Sequence, residues 1–162
     1  MLAGTKPVLV HNCGDDDDVI TLYHGTTKGG AENIRKNGID PTYADPDKDF
    51  GQGFYTTTSR SQAESWARGR YGKNGEVMQF QVKLSDLVGT KGKVFPNSGG
   101  PEYEKFVRGQ RTGSDPMHGY DWVEGPMVTN VGPFKKGAKA KLWGQQWSFH
   151  SKAAAAALKL VS

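Results

Sequence analysis

Three stretches of the chain gather side chains able to hold or transform a ligand. In LYHGTT (22–27) a histidine near the end of a β-branched run is followed by glycine. His24 can hydrogen-bond a ribose hydroxyl from there, while the bare backbone of Gly25 lets a planar ligand approach and Thr26 adds a hydroxyl. In DFGQGFYTTTSRSQAESWA (49–67) two glycines and the aromatic pair Phe54–Tyr55 run into a series of hydroxyls. Glycine inside a strand weakens it unless something must come close to the backbone. Phe54, Tyr55 and Trp66 offer flat faces on which a ring could stack, worth up to ~1.5 kcal/mol each. Thr56 and Ser61 supply hydroxyls beside them; Phe54 and Trp66 fit equally well as core aromatics. In GQQWSFHS (144–151), alternation puts Trp147 and Phe149 on one face and Gln146, Ser148 and His150 on the other. Glu124, in YDWVEGP, is the acidic residue that a late strand would carry near such a cleft.

Several other chemistries lack their motifs. There is no G-x-S-x-G elbow for a serine nucleophile, and GRYGKNG lacks the phosphate-loop pattern. The four histidines (11, 24, 118 and 150) do not have metal-ligand spacing, so no metal is expected. One cysteine, Cys13, excludes an internal disulfide framework and a cysteine-based zinc cage.

The elements that must position these residues follow from periodicity. VITLYHGT (19–26) and EVMQFQVKL (76–84) are expected as strands, the second from the alternation of Met78, Phe80, Val82 and Leu84. A helix is expected over 29–39, stopped at Gly38. A loop then runs over 40–52, and GFYTTT is the next strand. Ser59 caps a helix burying Ala63, Trp66 and Ala67, with Gln62 completing a capping box. A short helix over 101–111, strands over 120–125 and 139–151, and an Ala-rich helix from Ser151 through Leu160 complete the order. Short strands with helices at their margins indicate an α+β domain.

At 162 residues the chain has the length of a single domain. No apolar run reaches the ~20 residues of a membrane span, and the first ten residues do not read as a signal peptide. The net charge is +4. Much of the excess lies in Lys135, Lys136, Lys139 and Lys141, either a solvated turn or a patch facing phosphates. Asp15–Asp18 repel one another and mark an exposed linker, so residues 13–19 separate the front end from a domain over 20–162.

Taken together, YHGT, DFGQGFYTTTSRSQAESWA and GQQWSFHS resemble the ADP-ribosyltransferase fold over about residues 20–160. The branch is the His-Tyr-Glu one, which includes diphtheria toxin, the poly(ADP-ribose) polymerases and bacterial polymorphic toxins. The resemblance implies a split, twisted β core with flanking helices, its cleft holding NAD as co-substrate without a metal. It places His24 on a ribose, the Gly25 backbone on the carboxamide and the Tyr55 ring on the nicotinamide. Thr26, Phe54, Thr56, Ser61 and Trp66 would surround them. The family's catalytic glutamate aligns with Gln146, and a glutamine carries no charge to stabilise an oxocarbenium-like ribose. Either Gln146 orients the ribose, or Glu124 supplies the charge from a neighbouring strand.

The implied activity is that of a monomeric, secreted or delivered toxin without membrane insertion, acting in the cytoplasm of a target cell. Its acceptor is a macromolecule, protein first and RNA second, and a cognate immunity protein would silence it. An NAD glycohydrolase and a non-catalytic nucleotide- or protein-binding module are the alternatives on the same fold. The front end, AGTKPVLVHNCG, resembles the end of a Hint (intein-like) domain. There Asn12 would cleave after itself with help from His11, leaving Cys13 first in the released piece and residues 1–12 as a remnant.

Overall fold

The computed structural model describes residues 18–43 and 48–161. His11, Asn12 and Cys13, with most of the acidic run, lie outside the described residues. Among the described residues, seven strands and five α-helices follow one another as β1 (Val19–Thr27), α1 (Lys28–Asn37), β2 (Phe54–Thr56), α2 (Arg60–Tyr71), β3 (Gly75–Lys83), β4 (Gly92–Val94), α3 (Pro101–Thr112), β5 (Trp122–Val128), α4 (Val131–Lys135), β6 (Leu142–Phe149), α5 (Lys152–Ala156) and β7 (Leu158–Leu160). They form an α+β fold with two sheets. One is three-stranded in the order β1-β3-β7; the other is four-stranded, β2-β6-β5-β4, and mixed because β4 runs parallel to β5. The sheets meet at a bridge between Tyr23 and Thr57, whose N–H and C=O groups exchange hydrogen bonds of 2.7 and 2.9 Å.

Two hydrophobic cores flank the four-stranded sheet. Between the sheets, Leu22, Met78, Phe80 and Val82 pack against Phe54, Trp147 and Phe149. On the far face, Val123 and Val128 meet Phe50, Phe95, Tyr103, Val107 and Phe134 under α3 and α4. Each large side chain so buried contributes roughly 1.5–3 kcal/mol. Over Gln146–Phe149, where β6 is buried, its polar side chains must find partners inside the protein.

Alternation places Met78, Phe80 and Val82 in the core as expected. Ser59 and Ser151 cap α2 and α5, their hydroxyls accepting from the N–H of Gln62 (3.2 Å) and Ala154 (3.1 Å). The last helix is shorter than its alanines suggest: α5 stops at Ala156, and Leu158–Leu160 become a strand. That strand satisfies the open edge of β3 by pairing with Phe80–Val82. Gly38 closes α1 at φ 84°, with its N–H returned to the Ile34 carbonyl at 2.8 Å. Trp66 is only partly buried, whereas Ala63 and Ala67 carry the packed face of α2. The three residues of β4 and five of α4 are too few to leave a periodic signal.

Candidate functional site

The site is organised by an irregularity in one strand pair. Between β5 and β6, Gly125 pairs with Gln146 and Met127 with Trp143, so β6 spends an extra residue in a bulge. Gly144 sits in it at φ 63°, where a side chain would be strained and would also collide with Gln62 Oε1. A bulge leaves backbone groups unpaired and re-aims its side chains. Gln62 of α2, 5% exposed, answers the first need: its Nε2 donates to the Gln145 carbonyl at 2.9 Å and its Oε1 accepts from the Gln145 N–H at 3.4 Å. The expected capping box is therefore half formed. The Gln62 side chain is spent on β6, and the Ser59 N–H donates to Thr57 Oγ1 instead.

Strand alternation separates the two glutamines. Gln145 turns toward the side shared by Trp147 and Glu124, and its Nε2 donates to the Glu124 carboxylate. Burial raises the Glu124 pKa above the ordinary carboxylate range, partly opposed by that amide. Gln146 turns to the far face, where it is 4% exposed and its Nε2 donates to Asp49 Oδ2 (3.0 Å) and the Pro126 carbonyl (3.3 Å). Asp49 also accepts from Arg111 Nε at 2.9 Å and from the Val128 N–H at 3.0 Å. The alignment chooses Gln146 for the third role, but the side chain that meets Glu124 is its neighbour.

His24 lies on the same side of the sheet as Glu124, stacked on Phe54 at 4.0 Å between ring centroids. Its Nδ1 is 2.7 Å from the Tyr55 carbonyl. A carbonyl only accepts, so Nδ1 carries the proton and the neutral ring keeps its lone pair on Nε2. Burial lowers the pKa to about 4, which keeps the ring neutral at pH 7. No partner for Nε2 occurs among the described residues.

The glycine-aromatic stretch is bound from within the protein. His24, His118 and His150 each donate to a carbonyl between residues 50 and 55, those of Tyr55, Phe50 and Gln52 respectively, all at 2.7 Å. Gly53 is bare because the His150 ring packs on it: a Cβ there would lie 2.5 Å from Nδ1. Tyr55 turns its ring away from His24, into the far-face core. Its hydroxyl donates to the Gly51 carbonyl at 2.6 Å and accepts from the Phe50 N–H at 2.8 Å. The residue thus reaches His24 through its carbonyl rather than its ring. Gly25 is open for a similar reason. A Cβ would sit 2.7 Å from the Ala63 carbonyl, so its bare face admits α2. Thr56 is buried, its hydroxyl donating to the Trp147 carbonyl at 2.9 Å. Thr26 is partly buried near the start of α1.

A cleft of about 610 Å³ opens where the start of α2 faces the bulge. Ser59, Ser61, Gln62, Asn97, Trp143 and Gln145 are among its lining residues, and none of the lining residues is ionisable. Trp143, 48% exposed, stands at its edge. Sequence reasoning missed Asn97, Trp143 and Gln145, and it missed Asp49 and Arg111 beneath them. Trp66 lies one turn along α2 from Gln62 and therefore on the same side of that helix. Among the described residues no group of three or more His, Cys, Asp or Glu could hold a metal ion, and no helix is long and apolar enough to cross a membrane.

The protein is thus an α+β domain of two sheets, with a polar, uncharged cleft beside a half-buried carboxylate. Residues 20–160 match the family described as "Protein of unknown function (DUF3990)", and the chain belongs to that family. No curated protein matches it.

Proposed function

We propose that this domain is an NAD-dependent ADP-ribosyltransferase whose cleft holds NAD as co-substrate. The observation that carries the reading is the His24 imidazole, fixed as the Nδ1–H tautomer with Nε2 left to accept from a ribose hydroxyl. It lies on the side of the four-stranded sheet that carries Glu124. Register separates the Phe54 row under His24 from the Glu124 row by two strand spacings and one two-residue step. That is roughly 10 Å across and 7 Å along, the span of a nucleoside.

The chemistry is displacement at C1 of the nicotinamide ribose. The C1–N bond breaks with its electron pair on nicotinamide. An acceptor oxygen or nitrogen then bonds C1 and loses its proton. The positive charge that grows on the ribose is met by the Glu124 carboxylate, oriented by Gln145. Gln146 supports the account as the residue that pins β6 from below, and Tyr55 as the one that fixes the His24 tautomer. Ser61 and the Thr57–Ser59 turn offer hydroxyls to the ligand, and Trp66 a flat face; Phe54 backs the His24 ring, and Gly25, Thr26 and Thr56 hold the strands that frame it.

The wider reading is of a toxin delivered into a target cell, restrained by an immunity protein, with residues 11–13 as a processing junction. Incubating the full chain with biotinylated NAD and a bacterial lysate, then resolving protein and RNA separately, tests it. Label that vanishes with His24→Ala is expected; NAD left intact by the wild-type chain overturns the enzyme reading.

A further inference from the structure

We infer that the lysine-bearing segment before β6, together with Trp143, is a docking surface for a single-stranded polynucleotide, which is the acceptor at the cleft. The inference rests on the reading of that cleft as the transfer site. Three independent features converge on it.

The segment is held rigid by its backbone, which leaves the lysine side chains outward. The Asn130 amide bridges it, donating to the Lys139 carbonyl at 2.9 Å and accepting from the Lys141 N–H at 2.8 Å. The Ala140 N–H donates to Glu104 at 2.9 Å. Arg108 donates to the Phe134 and Ala138 carbonyls, both at 3.0 Å, with its guanidinium 4.2 Å over the Phe134 ring. Glu104 and Arg108 of α3 are thereby spent on the segment's main chain. Lys136, Lys139 and Lys141 are exposed and, among the described residues, form no ion pair. Cations on a preformed base lose little backbone freedom when a phosphate arrives.

The second feature is Trp143, two residues beyond Lys141. The ladder bond from the Thr129 N–H to the Lys141 carbonyl, 2.8 Å, extends β6 back to that lysine, so the two side chains share a face. Leu142 between them packs into the far-face core. An exposed aromatic beside cations is how single strands are held, with phosphates on the charges and a base on the ring. The third feature is the cleft itself, lined by hydroxyls and amides without a charge. Such groups match base edges and sugar hydroxyls. An acidic peptide would use the lysines but has no base to lay on the exposed Trp143 ring, which lines the cleft two residues beyond Lys141.

The test uses the full chain without NAD. Fluorescein-labelled 20-nucleotide RNA and DNA of one mixed sequence, and labelled polyglutamate, are titrated by anisotropy from 50 to 300 mM KCl. Lys136→Ala/Lys139→Ala/Lys141→Ala is expected to weaken polynucleotide binding about ten-fold or more at 100 mM, and to flatten the log–log salt slope by about 2. Trp143→Ala should weaken it at least about five-fold with the slope unchanged. Lys28→Ala/Lys36→Ala, on α1, should do neither. Whether RNA or DNA binds tighter names the acceptor. Absence of binding, an unaffected triple variant, or equal affinity for polyglutamate overturns the inference, the last in favour of an acidic protein. Nicotinamide release by the wild-type chain, measured alongside, separates the two proposals. Release without polynucleotide binding sinks this one alone; binding without release sinks the enzyme reading and leaves the surface standing.

Discussion

Gln145 and Gln146 are neighbours in the chain and end on opposite faces of one sheet, in regions built for different purposes. Below the sheet, the Gln146 amide joins Asp49, Arg111 and the Val128 N–H in a closed network under α3. Above it, Gln145 points a single amide at a half-buried carboxylate beside an open cleft. A buried charge is tolerated only where partners surround it, so the lower network acts on stability. A carboxylate with raised pKa and one neutral partner spends stability on reactivity. Strand alternation sets adjacent residues in the two environments, and the bulge held by Gln62 and permitted by Gly144 lies at the upper one.

The largest expected effect falls on the lower face. Asp49→Ala removes the buried carboxylate shared by the Arg111 guanidinium, the Gln146 amide and the Val128 N–H, and should cost about 3–5 kcal/mol in urea denaturation. Glu124→Gln, which keeps shape and removes charge, should leave stability within ~1 kcal/mol. Similar losses for both variants would erase the contrast. Gly144→Ala comes next. It forces a side chain into positive φ and against Gln62, so about 1–3 kcal/mol should be lost together with the cleft's activity. A stable, active Gly144→Ala would show that the bulge is not what positions Gln145.

The glutamine pair sharpens the comparison further. Gln146→Ala should lose about 1–3 kcal/mol by leaving Asp49 short of a donor. Gln145→Ala should cost under ~1 kcal/mol and show mainly in the pH profile of turnover, whose acidic limb would move upward once the amide no longer favours the Glu124 carboxylate. A further effect is one of pH. The pKa values of His24 and His150 are lowered to about 4 by burial, and that of His118 is lowered for the same reason. The unfolded chain takes up their protons near pH 6.5, so stability is level above that value and falls as pH drops from about 6.5 toward 4. The raised Glu124 pKa acts with the opposite sign, its stabilising contribution present at low pH and lost as pH rises. Urea denaturation at pH 7.5 and pH 5.0 should show the histidine loss, reduced in His150→Gln.

What was legible in the sequence is what repeats at a fixed period or sits at a cap. The alternation of Met78, Phe80 and Val82 located the face of β3, and Ser59 and Ser151 marked the starts of α2 and α5. His24, Glu124 and the hydroxyl turn stand out by residue type alone. The bulge was invisible because an extra residue between Trp143 and Gln146 leaves no mark in the alternation that holds from Gln146 to Phe149. Gln145, on the Trp147 face by that same alternation, is the glutamine that meets Glu124. Asp49 and Arg111 are 62 positions apart, and a charged residue in a polar loop reads as solvated until its partner is seen. The two glycines of the FGQGFY stretch suggest room for a ligand, and at Gly51 the Gln110 and Met117 side chains occupy it. What fills the room at Gly53 is the protein's own His150.

The most direct test of the account is nicotinamide release from NAD by the full chain at pH 7.5, comparing wild type with Glu124→Gln and Gln146→Ala. Release by the wild type, cut at least about 100-fold by Glu124→Gln and reduced in Gln146→Ala only in proportion to the folded fraction, is the result predicted. Full turnover in Glu124→Gln, or its loss in a fully folded Gln146→Ala, would place the chemistry on the face this account calls structural.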